Sequence, residues 1–188
     1  ASERYVSRAG LKLAGAAKAF NLNFRGKTVL DVGSSTGGFT DFALQHGAKK
    51  IYAVDVGTDQ LHPSLRGNKR IELHEKTDIR DFVPSEIPDI VVIDASFISL
   101  RQILPYVAKI VDKNTTIVAM VKPQFEAQRQ QLTRGGVVKN DGVRRAILRE
   151  FEQWARANFI IIDKVDSEVK GAHGNLERFY ILRKAGSC

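Results

Sequence analysis

Cysteine is nearly absent from this sequence: the only one, Cys188, stands at its last position. A disulfide-stapled scaffold is therefore excluded, and a cytoplasmic, disulfide-free protein is the default expectation. Long apolar runs are also missing. The longest uninterrupted stretches, such as Ile117 to Val121 and Phe159 to Ile162, fall far short of the roughly 18 residues that a membrane-spanning helix needs. No charged-then-apolar leader opens the sequence. The four histidines, His46, His62, His74 and His173, are scattered without metal-ligand spacing and are read as structural or surface residues, so no metal is expected. Internal repeats, low-complexity tracts and dividing linkers are absent too, which predicts one domain over residues 1–188.

What is present is ordinary in its balance and unusual in its charge. Hydrophobic residues make up 43% and charged residues 27%, enough for a self-sufficient core and too apolar for disorder. Lys and Arg number 29 against 21 Asp and Glu, a formal charge of +8. Polyanions are thus candidate partners, although charge alone does not decide it.

The periodicity alternates between strand and helix. Ser7 to Phe20 reads as a helix capped by Ser7, with Leu13, Ala17 and Phe20 as its buried stripe and Arg8 and Lys12 on another face. Thr28 to Asp31 reads as a strand, followed by a glycine turn and a helix over Phe39 to His46. Strands are predicted at Ile51 to Asp55, Ile71 to His74, Ile90 to Asp94 and Thr116 to Lys122, with a helix over Leu100 to Val111. Asp141 is expected to cap a helix whose stripe is Val143, Ile147, Phe151 and Trp154, with Arg144, Arg145, Arg149 and Arg156 facing away. Phe159 to Val165 and Phe179 to Leu182 suggest a C-terminal antiparallel edge hairpin. The fold class is therefore α/β, a doubly wound and mostly parallel sheet covered on both faces. Phe125 to Asn140, which carries Arg129, Arg134 and Lys139, is expected to be a mobile basic loop.

In such a sheet, ligands bind beyond the carboxyl ends of the strands, where the first strand turns into its helix. The turn reads Asp31-Val-Gly33-Ser34-Ser35-Thr-Gly37-Gly38. It lacks the Gly-x-Gly-x-x-Gly spacing of a dinucleotide fold and the lysine of a phosphate loop. Asp31 at the strand end would repel a pyrophosphate and suits a ligand with a cationic amino group. The stretch resembles motif I of the class I methyltransferases, Asp/Glu-x-Gly-x-x-x-Gly, which cradles S-adenosylmethionine. The resemblance makes Asp31, Gly33, Ser34, Ser35, Gly37 and Gly38 cofactor-binding candidates. Asp55, about 20 residues on, suits two ribose hydroxyls. Asp78, after the third strand, matches the position where that family accepts from the adenine amino group.

The acceptor of the methyl group leaves traces as well. Carbon-5 chemistry needs a cysteine nucleophile, for which Cys188 is a poor candidate. Base-amine enzymes carry Asn/Asp-Pro-Pro-Tyr/Phe after the fourth strand, where this sequence has Asp94-Ala-Ser-Phe97. A ribose hydroxyl is a weak acid, and activating it calls for a partly deprotonated base or for stabilisation of the developing alkoxide; a lysine set among charges can do either. Strand ends and the first helix supply Lys12, Asp94, Lys122 and Glu177. Ser7-Arg8-Ala-Gly-Leu-Lys12-Leu13, Asp94-Ala-Ser-Phe97, Val121-Lys122-Pro-Gln-Phe-Glu126 and Gly174-Asn-Leu-Glu177 together resemble the FtsJ-like ribose methyltransferases, and within them the TlyA branch, which also bears a hemolysin label.

That resemblance spans nearly the whole sequence. It implies a Lys-Asp-Lys-Glu tetrad of Lys12, Asp94, Lys122 and Glu177, in which Lys122 is the general base and Asp94 orients it. Lys12 would depress the pKa of Lys122 and contact RNA phosphate, and Glu177 would hold the network. It further implies ribosomal RNA or ribosomal subunits as partner, and an S4 RNA-binding domain ahead of residue 7, which would make residues 1–6 a linker. FtsJ proteins proper carry Asp-Met-Ala-Pro where this sequence has Asp-Ala-Ser-Phe, so their target does not transfer. Two other readings stand beside it: methylation of an RNA base amine in the same pocket, and a membrane-active, hemolysin-like protein. No stretch is both strongly basic and free of a core-packing duty, which weighs against the latter.

Overall fold

A computed structural model describes residues 4–186. Cys188 and residues 1–3 of the expected linker lie outside the described residues. Seven strands form one sheet in the order β3-β2-β1-β4-β5-β7-β6. The parallel part comprises β1 (Thr28–Val32), β2 (Lys50–Val54), β3 (Ile71–His74), β4 (Ile90–Ile93) and β5 (Thr116–Val121). The antiparallel hairpin β6 (Phe159–Asp166) and β7 (Arg178–Lys184) completes one edge.

Near-continuous apolar strands mark a sheet buried on both faces, and successive side chains divide between two cores. Val29, Ile51, Val92, Val118 and Phe179 join one core, beneath helices α1 (Arg8–Phe20) and α2 (Gly38–Gln45). Leu30, Tyr52, Val91, Ile117 and Tyr180 join the other, under α3 (Leu104–Ile110) and α5 (Asp141–Ala155). A short α4 (Pro123–Glu126) turns away from the end of β5.

The structure departs from the sequence expectations at several points. The helix expected over Leu100 to Val111 is two pieces, a 3₁₀ turn at Leu100–Gln102 and then α3. Pro105 sits in the first turn of α3, where its missing N–H costs nothing, so the helix restarts there. Asn140, not Asp141, caps α5: its backbone is extended and its side chain accepts from Val143 N at 2.9 Å. Asp141 is the first helical residue and complements the helix dipole. Arg144 does not face away. It is 7% exposed and donates from Nε to Leu176 O and from Nη2 to Asp166 Oδ1 at 2.6 Å, so a partner on β6 lets a charge sit at a core-facing position.

The segment expected to be a mobile loop is folded. It holds α4, a 3₁₀ turn at Arg129–Gln131 and a bridge between Leu132 and Val138. Asn175 pins it, accepting from Val138 N and donating to Gly136 O. Arg129, Arg134 and Lys139 are exposed on it, as expected. Within the expected linker, Tyr5 is buried with its ring 5.6 Å from Phe42, because Gly10 leaves room for it on α1.

Asn140→Ala should cost about 1 kcal/mol of unfolding free energy. Asp141→Ala should cost less, since it removes an exposed carboxylate whose ion pairs and interaction with the helix dipole are weak in water. Denaturant unfolding of both variants checks the order, and a larger loss at Asp141 would overturn the cap assignment.

Candidate active site

The glycine turn is wedged between three elements. Gly33 N and Ser34 N both donate to Val54 O at the end of β2, leaning the turn across the sheet. A side chain at Gly33, where φ is +81°, would strike the Asp94 carbonyl, and one at Gly38 would strike Ser7 Oγ and Gly10 N. The turn therefore opens only outward. There it borders a cleft of about 330 Å³ lined by Gly33, Ser35, Asp55, Asp78, Asp94 and Phe97 among others. A smaller hollow of about 70 Å³, which includes Ser34, Gly38 and Asp94, lies between the turn and Ser7 and Ala9 at the start of α1. Gly37, at φ +100°, is buried against Leu61 and Leu65 and lines neither.

The three acids play different parts. Asp55, past the end of β2, accepts from Ser35 N at 2.8 Å and from Gly57 N at 2.7 Å, one bond on each oxygen, and faces the cleft. A carboxylate so held has lone pairs left for two hydroxyls. Asp78 caps the 3₁₀ turn Ile79–Asp81 through Arg80 N and is gripped by the Arg80 guanidinium, whose Nη2 lies 2.7 Å from Oδ2. That side-chain bond to Arg80 holds its carboxyl below the usual value. Asp31 lies 1% exposed beneath the turn and lines neither hollow. Thr40 Oγ1 donates to its Oδ2 at 2.7 Å, and its Oδ1 has no partner among the described residues. Burial pushes the Asp31 carboxyl up to about 7, with nearby Asp94 and Asp55 adding to the rise and Thr40 opposing it.

The four tetrad residues form two ion pairs. Lys122 Nζ lies 2.6 Å from Asp94 Oδ1 and donates to Ser96 Oγ at 3.0 Å. Lys12 Nζ donates to Glu177 Oε1 at 2.8 Å, and Gln124 Nε2 donates to Glu177 Oε2 at 3.2 Å. The antiparallel register pairs Val121 with Arg178, which sets Lys122, just beyond β5, opposite Glu177, just before β7. Glu177 is 1% exposed, with Gly171 packed directly on its carboxylate. Glu177 therefore anchors Lys12 and does not face the cleft.

Three residues quoted only within motifs acquire positions of their own. Phe97 is 91% exposed, adopts φ +62° and borders the cleft, with its ring centroid 5.1 Å from that of Phe125. The Glu126 side chain is turned inward and accepts from Ser99 Oγ and Leu100 N; burial raises its carboxyl above the usual value while those bonds oppose the rise. Gln124 is buried behind Glu177. An aromatic three residues after Asp94 was the available signal for Phe97; the partners of Glu126 lie 26 and 27 residues away and that of Gln124 lies 53 away, and they leave no local trace.

The family model described as FtsJ-like methyltransferase matches residues 5–185. The chain belongs to the FtsJ-like methyltransferase family. It is similar to YqxC of Bacillus subtilis, with 42% identity over 179 residues that cover 93% of this chain and 64% of that protein. It is also similar to the 23S rRNA (cytidine-2′-O)-methyltransferase TlyA of Campylobacter jejuni, with 42% identity over 97% of this chain and 72% of the relative. The chain thus spans about two thirds of the length of these curated relatives. A solved structure from Streptococcus thermophilus with a hemolysin label superposes with a TM-score of 0.93 at 42% identity, covering all of this chain and 70% of that one. No helix among the described residues is long and apolar enough to cross a membrane. No cluster of His, Cys, Asp and Glu among them could hold a metal ion.

Because folding raises the Asp31 carboxyl from 3.8 to about 7, the folded chain holds a proton there that the unfolded chain releases. Its contribution to stability is greatest below about pH 4 and is lost as pH rises through about 7. Asp31→Asn, which keeps an acceptor for Thr40, should flatten that fall in denaturant titrations run from about pH 4 to about pH 8. An unchanged slope would show that Asp31 is ionised throughout.

Proposed function

We propose that this chain transfers the methyl group of S-adenosylmethionine to the ribose 2′-hydroxyl of a nucleotide in ribosomal RNA. The observation that carries the reading is the Lys122–Asp94 ion pair at 2.6 Å, whose carboxylate lines the cleft that the glycine turn borders. It sets an amine held by a carboxylate where an acceptor hydroxyl would meet a methyl donor.

The residues present fit the cofactor. Gly33 gives backbone access to the cleft, Asp55 offers two oxygens to a ribose, and Asp78 offers an acceptor to an adenine amino group in competition with Arg80. The unpartnered Oδ1 of Asp31 and the buried, unpartnered Ser34 Oγ lie under the turn, where the positive charges of the methionine moiety would favour an ionised carboxylate. Bound there, the cofactor supplies a methyl group on a sulfonium, open to in-line displacement by an oxygen. Lys122 takes the hydroxyl proton as the oxygen attacks, and Asp94 orients Lys122. Lys12, fixed by Glu177, provides a second positive charge beside the developing alkoxide.

Phe97 supports RNA over a small-molecule acceptor. A solvent-exposed ring at the cleft mouth offers a face on which an unstacked base can lie. The exposed Arg129, Arg134, Lys139 and Arg8 provide charge for a phosphate backbone. The Campylobacter relative is named for cytidine in 23S rRNA, which favours a cytidine target. Ribosomal RNA would place the reaction in the cytoplasm, and affinity would draw on the S4 domain that the resemblance implies.

Incubation with ribosomal subunits lacking the mark and with labelled donor, followed by nuclease digestion and nucleoside mass analysis, should yield a 2′-O-methyl nucleoside. A base-methylated product would replace this reading with base-amine transfer. Lys122→Ala should abolish methylation and leave cofactor affinity within about threefold; persisting activity would remove Lys122 from the role of base. Phe97→Ala should raise KM for RNA on the order of tenfold, the scale of one lost stacking contact, without weakening cofactor binding.

A further inference from the structure

Two segments leave the ends of neighbouring strands: residues 94–100 beyond β4, whose first half lines the cleft, and residues 122–126 beyond β5, which are α4 with its cap Lys122. They are fastened at both ends. At the sheet, Lys122 Nζ reaches Asp94 Oδ1 and Ser96 Oγ. Midway, the rings of Phe97 and Phe125 meet. At the far end the Glu126 carboxylate spans the gap, with Ser99 Oγ 2.5 Å from Oε2 and Leu100 N 2.7 Å from Oε1. The Glu126 side chain is 2% exposed, and Arg101 Nε stands 3.8 Å from it.

A carboxylate taken this far out of water is costly unless its partners hold it, and here both oxygens are engaged by the opposite loop. The turn that begins at Leu100 already has a cap of its own, since Ser99 Oγ accepts from Arg101 N. Glu126 is therefore not needed to start that turn. What does need a second fixed end is the residue between the fastenings. Phe97 is exposed and sits in the left-handed region, a conformation that a bulky residue keeps only where its surroundings over-determine it.

We infer that Glu126 is a positioning residue: by fastening Ser99 and Leu100 it sets the height and angle of Phe97 over the cleft, and so where a nucleobase docks relative to Lys122. The role of Phe97 in this inference rests on the proposed RNA reading; the fastening itself does not. Glu126 touches neither substrate nor cofactor, and it acts through the loop it holds.

The test uses Glu126→Gln, Glu126→Ala and Ser99→Ala, the last removing one hydroxyl and no charge, together with Phe97→Ala and the Glu126→Gln/Phe97→Ala double variant. Hydrogen exchange of residues 95–101, measured without RNA, should rise at least several-fold in the Glu126 variants while the strands keep their protection. On ribosomal subunits, kcat/KM should fall on the order of tenfold to a hundredfold. Affinity for S-adenosylmethionine should stay within about twofold, and the double variant should be no worse than Phe97→Ala alone. Unchanged exchange in Glu126→Ala, losses that multiply in the double variant, or donor affinity falling in step with rate would each overturn the inference. If the wild-type product is a methylated base, the ribose reading falls while the same comparison, run on that product, still decides Glu126. If no product forms, the comparison is read in RNA affinity.

Discussion

The Lys122–Asp94 ion pair exists because β4 and β5 are parallel neighbours, so that both chains deliver their next residues to the same end of the sheet. A parallel sheet offers this only at its carboxyl ends, where loops fan out and side chains are neither wholly buried nor free. The Lys122 and Asp94 side chains are 10% and 20% exposed. At that depth a lone ammonium or carboxylate would be poorly solvated, and each charge is tolerable chiefly because of the other. The second pair, Lys12 with Glu177, obeys the same rule, with its carboxylate more deeply buried and its amine about as exposed as that of Lys122. Its partners stand 165 residues apart, so it forms only after α1 has docked against the sheet and β7 has inserted beside β5.

Electrostatics narrows the ligand as firmly as shape does. Asp55, Asp78 and Asp94 line one cleft, with Asp31 beneath its floor. Anionic pyrophosphate would meet several carboxylates and no lysine in the glycine turn, whereas a sulfonium bearing an ammonium group would meet charges of the right sign. Asp31 registers this tension. Its burial favours the proton, and nearby Asp94 and Asp55 add to the effect.

The sequence was most informative where a residue's role depends on its neighbours in the chain. The alternation of strands and helices, the glycine turn and the edge hairpin are local patterns and gave the fold class, whereas the strand order depends on pairings between distant segments and was not read. Asp55 and Asp94 sit at strand ends because strand ends can be read from apolar runs. Cap positions were off by one at α5, since Asn140 and Asp141 are both good cap residues and only the backbone angle separates them. Arg144 misled the helical reading because a charge with a long-range partner does not follow the apolar stripe. Asp31 was legible as part of a motif but not as a buried group: nothing in the order of residues says that α2 closes over it. Glu126 and Gln124 were legible only as letters in a motif, because their partners come from other strands' loops.

The close approaches between backbones explain why the amines land where they do. Gly38 lets the start of α2 touch Ser7 and Gly10 at the start of α1, and Gly10 in turn makes room for Tyr5. Gly33 lets the turn touch the Asp94 carbonyl, and Gly171 lets its loop close on the Glu177 carboxylate. Each of these contacts would be blocked by a single Cβ, so each fixes a distance that a larger residue would lengthen. The first pair sets how far α1 carries Lys12 toward β7, and the third sets how deeply Glu177 is held to receive it. The second sets the turn against Asp94, the ion-pair partner of Lys122. The small residues thus do for the backbone what the carboxylates do for the lysines, and the proposed alignment of a donor carbon with an acceptor oxygen would depend on both.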